Sequence, residues 1–331
     1  MKRIIMSLII ILLIIGIWLW KNLSEVTVNK SLFAMGTFFE ITTTGHDSKQ
    51  AIADAFKEIK RIESLTSNLN QTSLASLNRS AGKKPVKVPR EIIIILKKIT
   101  ELYPDLSGSF DPTIGPLVDL WGFNPKGRPN LPESNKIKGL LYLIGFDRVI
   151  FDEEKGTVFL PTKGMKLDFG GVAKGYAIDR AYLALQKSGI SSALINGGSS
   201  SIRVIGKRAN LSPWRLGIGH PRQTGNLLGT LGLPGDRALG TSADNQNYLF
   251  HNGKRYSHLI NPKTGYPAQD KILVTVTAPT ALEADLLSTA FFVLPIAAIK
   301  KFISANPEYG VIIYDSSGKL INLEEETFKV N

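Results

Sequence analysis

The 331-residue chain contains no cysteine. That absence excludes disulfides, thiolate metal sites, cysteine nucleophiles and a lipid-modified N-terminal cysteine. A chain of this length can bury enough core to be stable without such staples. Histidine is scarce too, with only His46, His220, His251 and His258. No HExxH or GxSxG motif occurs, so zinc-hydrolase and serine-hydrolase chemistry have no support. The P-loop and the dinucleotide GxGxxG pattern are also missing. Acids are outnumbered by bases, 28 to 40, leaving a net charge of +12. The lysines are scattered, with no basic helix and no aromatic–basic interleaving, so nucleic acid is not an expected partner. A membrane surface or an anionic ligand fits the surplus better. Hydrophobic residues make up 43% and charged residues 21%, which predicts a globular body.

The one long apolar run is at the N-terminus. Lys2 and Arg3 precede Ile4 to Trp20, and Lys21 closes the run. It is a little short for a spanning helix of about 17–25 residues, yet longer than a signal-peptide core of about 7–15. No small-residue cleavage site follows. Trp18 and Trp20 stand where interfacial aromatics belong, and the leading charges favour a cytoplasmic N-terminus. Residues 1–24 therefore read as an uncleaved signal anchor in the cell membrane. Residues 25–331 read as one extracytoplasmic body; a cleaved signal peptide is the alternative.

Within that body, Glu25–Thr44 alternates as strands around a Met35-Gly36-Thr37 turn. Ile52, Ala55, Phe56, Ile59 and Ile62 have helical spacing. Arg90–Tyr103, Tyr176–Ser188, Thr280–Phe292 and Ile296–Asn306 read as further helices. Val149–Leu160 reads as a hairpin, and Ser107–Pro132 as a packed irregular segment rich in Gly and Pro. Short strands, Ala238–Ser242 among them, fill most of the remainder. Strands and helices do not alternate strictly, so an α+β fold with a largely antiparallel sheet is expected.

Five segments could carry chemistry. In Asp168-Phe169-Gly170-Gly171-Val172-Ala173-Lys174, an apolar run ends on an acid. A glycine pair and a lysine at a helix start follow. Unpaired N–H groups and the helix dipole there suit an anion together with a cation; the alternative is a tight turn with a surface lysine. Asp285 and Thr289, with Ser288 between, share one face of an apolar helix. A carboxylate and a hydroxyl on adjacent turns can bind a hard cation; the alternative is an acid serving its own helix dipole. His258 precedes a Pro-Lys-Thr-Gly turn and is the candidate general base; the alternative is a half-exposed strand histidine. Gly108-Ser109-Phe110-Asp111-Pro112 suits holding a flat ring, unless Asp111 only forms an Asx turn. Gly240–Asp244 and Asn196–Ser200 read as small-residue turns that would admit a ligand to the backbone.

Taken in order, these segments resemble the ApbE family, the FAD:protein FMN transferases. The resemblance spans about Phe33 to Val293. It rests on Met35-Gly36-Thr37, Ser109–Pro116, Leu167–Asp179, Tyr256–Pro267 and Ala284-Asp285-x-x-Ser288-Thr289-Ala290. It implies magnesium, FAD as substrate, and FMN moved onto a Ser or Thr hydroxyl of an acceptor protein with release of AMP. It implies a metal site of Asp285, Thr289 and the Gly171 carbonyl, with Ser288 beside it. Met35, Ser109, Phe110, Asp111, Asp168, Lys174 and Leu259 match FAD-contacting positions, and His258 matches the base. The implied acceptor is a protein of a membrane redox complex. Two features depart from the family. Many members carry an aromatic that would stack on adenine where this chain has Asn68, and many are lipoproteins, whereas this chain would use its Ile4–Trp20 anchor. Weaker holding of FAD at Asn68 would favour hydrolysis to FMN and AMP. An FAD diphosphatase and a non-catalytic FAD-binding protein are therefore the competing readings.

Overall fold

The computed structural model describes residues 27–45, 47–68, 72–124, 126–208, 212–323 and 328–330. The anchor expected over residues 1–24, and His46, lie outside the described residues. Among the described residues, no helix is long and apolar enough to cross a membrane.

The strands in chain order are β1 (Thr27–Ala34), β2 (Thr37–Thr44), β3 (Val86–Lys87), β4 (Ile150–Asp152), β5 (Thr157–Phe159), β6 (Ala193–Gly197), β7 (Ser201–Ile205) and β8 (Trp214–Gly219). They continue with β9 (Leu227–Leu233), β10 (Ala238–Ala243), β11 (Tyr248–His251), β12 (Lys254–Ser257), β13 (Lys271–Ala278), β14 (Gly310–Asp315), β15 (Leu320–Asn322) and β16 (Phe328–Val330). The helices are α1 (Ser48–Thr66), α2 (Ser73–Arg79), α3 (Arg90–Leu102), α4 (Gly115–Trp121), α5 (Ser134–Lys138), α6 (Ala173–Lys187), α7 (Ala281–Val293) and α8 (Ile296–Ala305).

Eight strands form one sheet in the order β1-β2-β6-β7-β10-β13-β14-β15. Every neighbouring pair in it is antiparallel, as the sequence predicts. The period-two pattern sorts side chains to two faces. Val274, Val276 and Ala278 of β13 pack with the helices. Leu273, with Ile202 and Val204 of β7, packs against the small sheet β16-β9-β8. Helix α7 is buried nearly all round and is the central post of the helical layer.

Helices α6 and α7 hold each other by their first turns. Asp179 of α6 accepts hydrogen bonds from the Ala281 and Leu282 N–H groups of α7 at 2.8 and 2.9 Å. Asp285 of α7 accepts from the Gly175 N–H of α6 at 2.8 Å. Each carboxylate thus satisfies amides that the partner helix leaves free. Gly175 permits the approach, since a Cβ there would meet the Ala281 carbonyl oxygen at 2.1 Å.

Two expectations need correction. The segment Ser107–Pro132 is not irregular throughout, because it contains α4. Proline in its first turn and the left-handed Gly122 at its end were the available signals. The stretch Gly240–Ala243 belongs to strand β10, which agrees with a strand over Ala238–Ser242 and not with a turn over Gly240–Asp244; Gly240 is small because a Cβ would strike the Ala284 backbone of α7.

Candidate functional site

One cleft of about 610 Å³ lies where the β1–β2 turn, the loop before α4, the start of α6 and the middle of α7 converge. Its lining includes Met35, Asn68, Ser109, Phe110, Asp111, Asp168, Gly171, Lys174, His258, Leu259, Asp285, Ser288 and Thr289, so every site residue expected from the sequence is in one place. Its size suits a cofactor-like molecule. Phe33, Phe110, Ile114, Val118, Phe123 and Ile260 give it an apolar wall. A larger groove of about 880 Å³ runs beside α3 and holds none of these residues.

The metal-type corner is built on α7. The Asp285 carboxylate is buried and accepts from Gly175 N–H and from Ser201 Oγ at 2.7 and 2.8 Å. It therefore does not serve its own helix. Burial raises its pKa to about 6, with Lys174 pulling it back. Two donors leave part of its acceptor capacity free. Ser288 Oγ donates to the Asp285 carbonyl at 3.0 Å and lies 3.0 Å from Ser242 Oγ. Thr289 Oγ1 lies 3.4 Å from Ser242 Oγ. Gly171 runs against that hydroxyl, since a Cβ on it would sit 3.2 Å from Thr289 Oγ1. One carboxylate and the neighbouring hydroxyls are hard oxygen donors of the kind a magnesium ion sharing substrate phosphates takes. Among the described residues, no group of three or more His, Cys, Asp or Glu could hold a metal.

The base-type corner is His258. Its Nδ1 lies 3.1 Å from the Asn247 carbonyl. A carbonyl only accepts, so Nδ1 carries the proton and Nε2 keeps a lone pair when the ring is neutral. Burial lowers the pKa of His258, and the charge of Lys174 adds to that. Lys174 lies in the first turn of α6, and its ammonium donates to Ser200 Oγ at 2.9 Å. The N–H groups at this helix start are used differently from the expectation. Ala173 N–H bonds the Phe169 carbonyl, Gly175 N–H bonds Asp285, and Gly170 N–H bonds Asp168 Oδ1. With those amides used, the lysine side chain and the Gly171 and Lys174 N–H groups, which no hydrogen bond meets among the described residues, are what the turn offers an anion.

Asp168 is half-buried and accepts from Gly170 N–H and Asn68 Nδ2, both at 2.8 Å. Desolvation raises its pKa. Asn68 is tied in turn to Asn78, whose amide also pairs with the Leu167 backbone. Asp111 points into the protein. Its two oxygens accept from Thr113 N–H and Oγ1, Phe146 N–H and the Tyr103 hydroxyl. That is the Asx turn of the alternative reading, and its carboxylate pins the loop that carries Ser109 and Phe110. Burial still pushes the pKa of Asp111 up. Ser109 Oγ is buried and has no hydrogen-bond partner among the described residues. Because Ser109 lines the cleft, that hydroxyl is open to a polar group of a bound ligand.

Several contributors escaped the sequence reading. Glu63 of α1 accepts the Met35 N–H and holds Met35 at φ +50°. Ser201, Ser242 and Asn78 are equally hidden, because each reaches a partner 46 to 89 residues away in sequence; Asn247 meets His258 across the β11–β12 hairpin. Only the small-residue composition around Ser200 and Ser242 hinted at them.

The sequence matches the ApbE family over residues 35–313. A Klebsiella pneumoniae protein described as FAD:protein FMN transferase is 32% identical over 265 residues, covering 79% of this chain and 81% of its own. The Haemophilus influenzae protein of that description is 29% identical over 308 residues, 89% of this chain and 88% of its own. Among solved structures, the ApbE protein of Thermotoga maritima matches with a TM-score of 0.83 at 28% identity, covering 90% of this chain and 97% of its own. The flavin transferase ApbE of Vibrio cholerae matches with a TM-score of 0.77 at 27% identity, covering 93% of this chain and 97% of its own.

Proposed function

Because the chain belongs to the ApbE family, we propose that it moves FMN from FAD onto a Ser or Thr hydroxyl of an acceptor protein and releases AMP. The observation that carries this reading is the convergence in one cleft of a base with a free lone pair, a cation and a hard-oxygen corner. His258 Nε2, Lys174, and Asp285 with Thr289 all line it.

The acceptor oxygen attacks the phosphorus of the FMN half. A new P–O bond forms, the bond to the AMP phosphate breaks, and AMP leaves with that electron pair. His258 Nε2 takes the hydroxyl proton. Lys174 offsets the negative charge that gathers on the phosphate oxygens. Ser109 Oγ gains the partner it lacks, and the apolar wall takes the flat ring. Asp285, Thr289 and the Gly171 carbonyl would hold magnesium, which supplies Lewis-acid neutralisation of the phosphates.

Residues 1–24 would anchor the catalytic body to the cell membrane on its outer side, near acceptors in membrane redox complexes. Incubation with FAD, magnesium and such an acceptor tests the reading. Covalent FMN on the acceptor is the expected result. FMN and AMP free in solution would make the chain an FAD diphosphatase, and unchanged FAD would make it a binding protein.

A further inference from the structure

We propose that the open edge of β11 seats the acceptor chain as an added, extended strand and delivers its hydroxyl to His258. This rests on the reading that the acceptor is a protein.

Strands β11 and β12 form a two-stranded ribbon apart from the main sheet. The ribbon turns through Asn252 and Gly253, at φ +48° and +74°, with His251 opposite Lys254. In such a two-residue hairpin the pair flanking the turn exchanges both backbone bonds, and the next pair faces outward. The outward residues are therefore Phe250 and Tyr248 on β11, and Arg255 and Ser257 on β12. The His258 N–H bond to the Asn247 carbonyl at 2.9 Å fits this phase. The two edges then differ. The outward edge of β12 is met by Gln269, which donates to the Arg255 carbonyl at 3.0 Å. On the β11 side, no hydrogen bond meets the backbone of Tyr248 or Phe250 among the described residues. The two residues are 39% and 63% exposed.

This edge leads into the site. Two residues before Tyr248, Gln246 lines the cleft. Asn247, between them, holds the ring of His258 in place. A strand laid along β11 thus runs toward the base that must take the hydroxyl proton. Main-chain pairing lets a transferase hold a segment with little demand on its sequence. A two-stranded ribbon is marginal alone, and a third strand completes it. Charge narrows the occupant further. Residues 245–257 contain no acid, but carry His251, Lys254 and Arg255. Arg222 stands nearby, and the one adjacent acid, Asp244, is shared by Arg222 and Arg255. The fitting segment is extended, bears a Ser or Thr, and is flanked by carboxylates.

The test uses the full chain with FAD, magnesium and short unstructured peptides carrying a central threonine, flanked by aspartates in one set and lysines in the other. Covalent flavin on the aspartate set, and little on the lysine set, is expected. Phe250→Pro removes an outward N–H while sparing the β11–β12 bonds. It should lower transfer to the peptide by roughly tenfold relative to Phe250→Ala, with FAD affinity unchanged. Equal transfer by the two variants would overturn the proposal, as would preference for the lysine set. If Phe250→Pro does not fold, amide exchange of the wild-type chain decides. The Tyr248 and Phe250 amides should slow when the peptide and FAD are present, and unchanged exchange during active transfer would overturn the edge. A chain that flavinylates a folded membrane acceptor but no peptide would fail this inference alone. A chain that flavinylates neither would fail the functional reading beneath it.

Discussion

At the scale of single residues, Met35 carries a cost that the cleft explains. A bulky residue at φ +50° is strained by about 1–2 kcal/mol, and the turn Met35-Gly36 would suit Asn-Gly better. Met35→Asn should stabilise the fold by about 1 kcal/mol and weaken FAD binding roughly tenfold through lost apolar contact. Thermal melting and flavin-fluorescence titration would check both signs, and tighter FAD binding would contradict the assignment. His258→Ala should lower transfer by about 10²–10⁴-fold while leaving FAD affinity nearly intact. Because the pKa of His258 is depressed, the base form persists through neutrality. Its rate limb should appear only as pH falls below the usual histidine range, and a limb above pH 7 would refute the role. Asp285 adds a second acid limb. With a pKa of about 6, it competes with protons for magnesium below that pH, and apparent metal affinity should fall about tenfold per pH unit there. Asp285→Asn should abolish magnesium-dependent turnover, and full activity in it would refute the metal assignment. Asn68 is an instance where contact alters an expectation. Asn68→Tyr adds a face that can stack on adenine, yet it also removes a donor from Asp168, so the gain in FAD affinity should be smaller than stacking alone would give.

At the scale of elements, the crossing of α6 and α7 sets the site. Arg203 of β7 pairs with Asp179, and its guanidinium stacks 3.6 Å over the Tyr182 ring. Truncating one member of a buried pair leaves the other charge and two helix amides unsatisfied. Asp179→Ala should therefore cost about 3–5 kcal/mol in denaturant unfolding, and a change under 1 kcal/mol would contradict the reciprocal cap. The helices themselves were legible, because Ile52, Ile59 and Ile62 or Leu282, Leu286 and Ala290 repeat at helical spacing. Their first turns were less so. Helix α6 begins at Ala173, before the expected Tyr176, since Gly175 reads as a breaker until its contact with Ala281 is known. Asp285 looked like a dipole acid of its own helix for the same reason: its partners, Gly175 and Ser201, are 110 and 84 residues away in sequence.

At the scale of the whole molecule, the antiparallel class could be read from short alternating strands, but the strand order could not. Strands β2 and β6 are neighbours although well over a hundred residues separate them, and such pairing is fixed by which faces α1, α6 and α7 can cover. The site was legible as a set because each motif brings its own residue types. What joins them, such as Glu63 under Met35 and Ser201 against Asp285, is contact between separate segments. The proposed anchor belongs to this scale too. Removing residues 1–24 should release a fully active body from membranes in fractionation, and a body still held there would refute the anchor. The central claim is that this cleft transfers FMN to a protein hydroxyl. Intact-mass measurement of a membrane redox acceptor, after incubation with the chain, FAD and magnesium, tests it most directly. The account predicts an acceptor heavier by FMN less one water, with one AMP released per acceptor and no gain with His258→Ala. An acceptor of unchanged mass beside consumed FAD would contradict it.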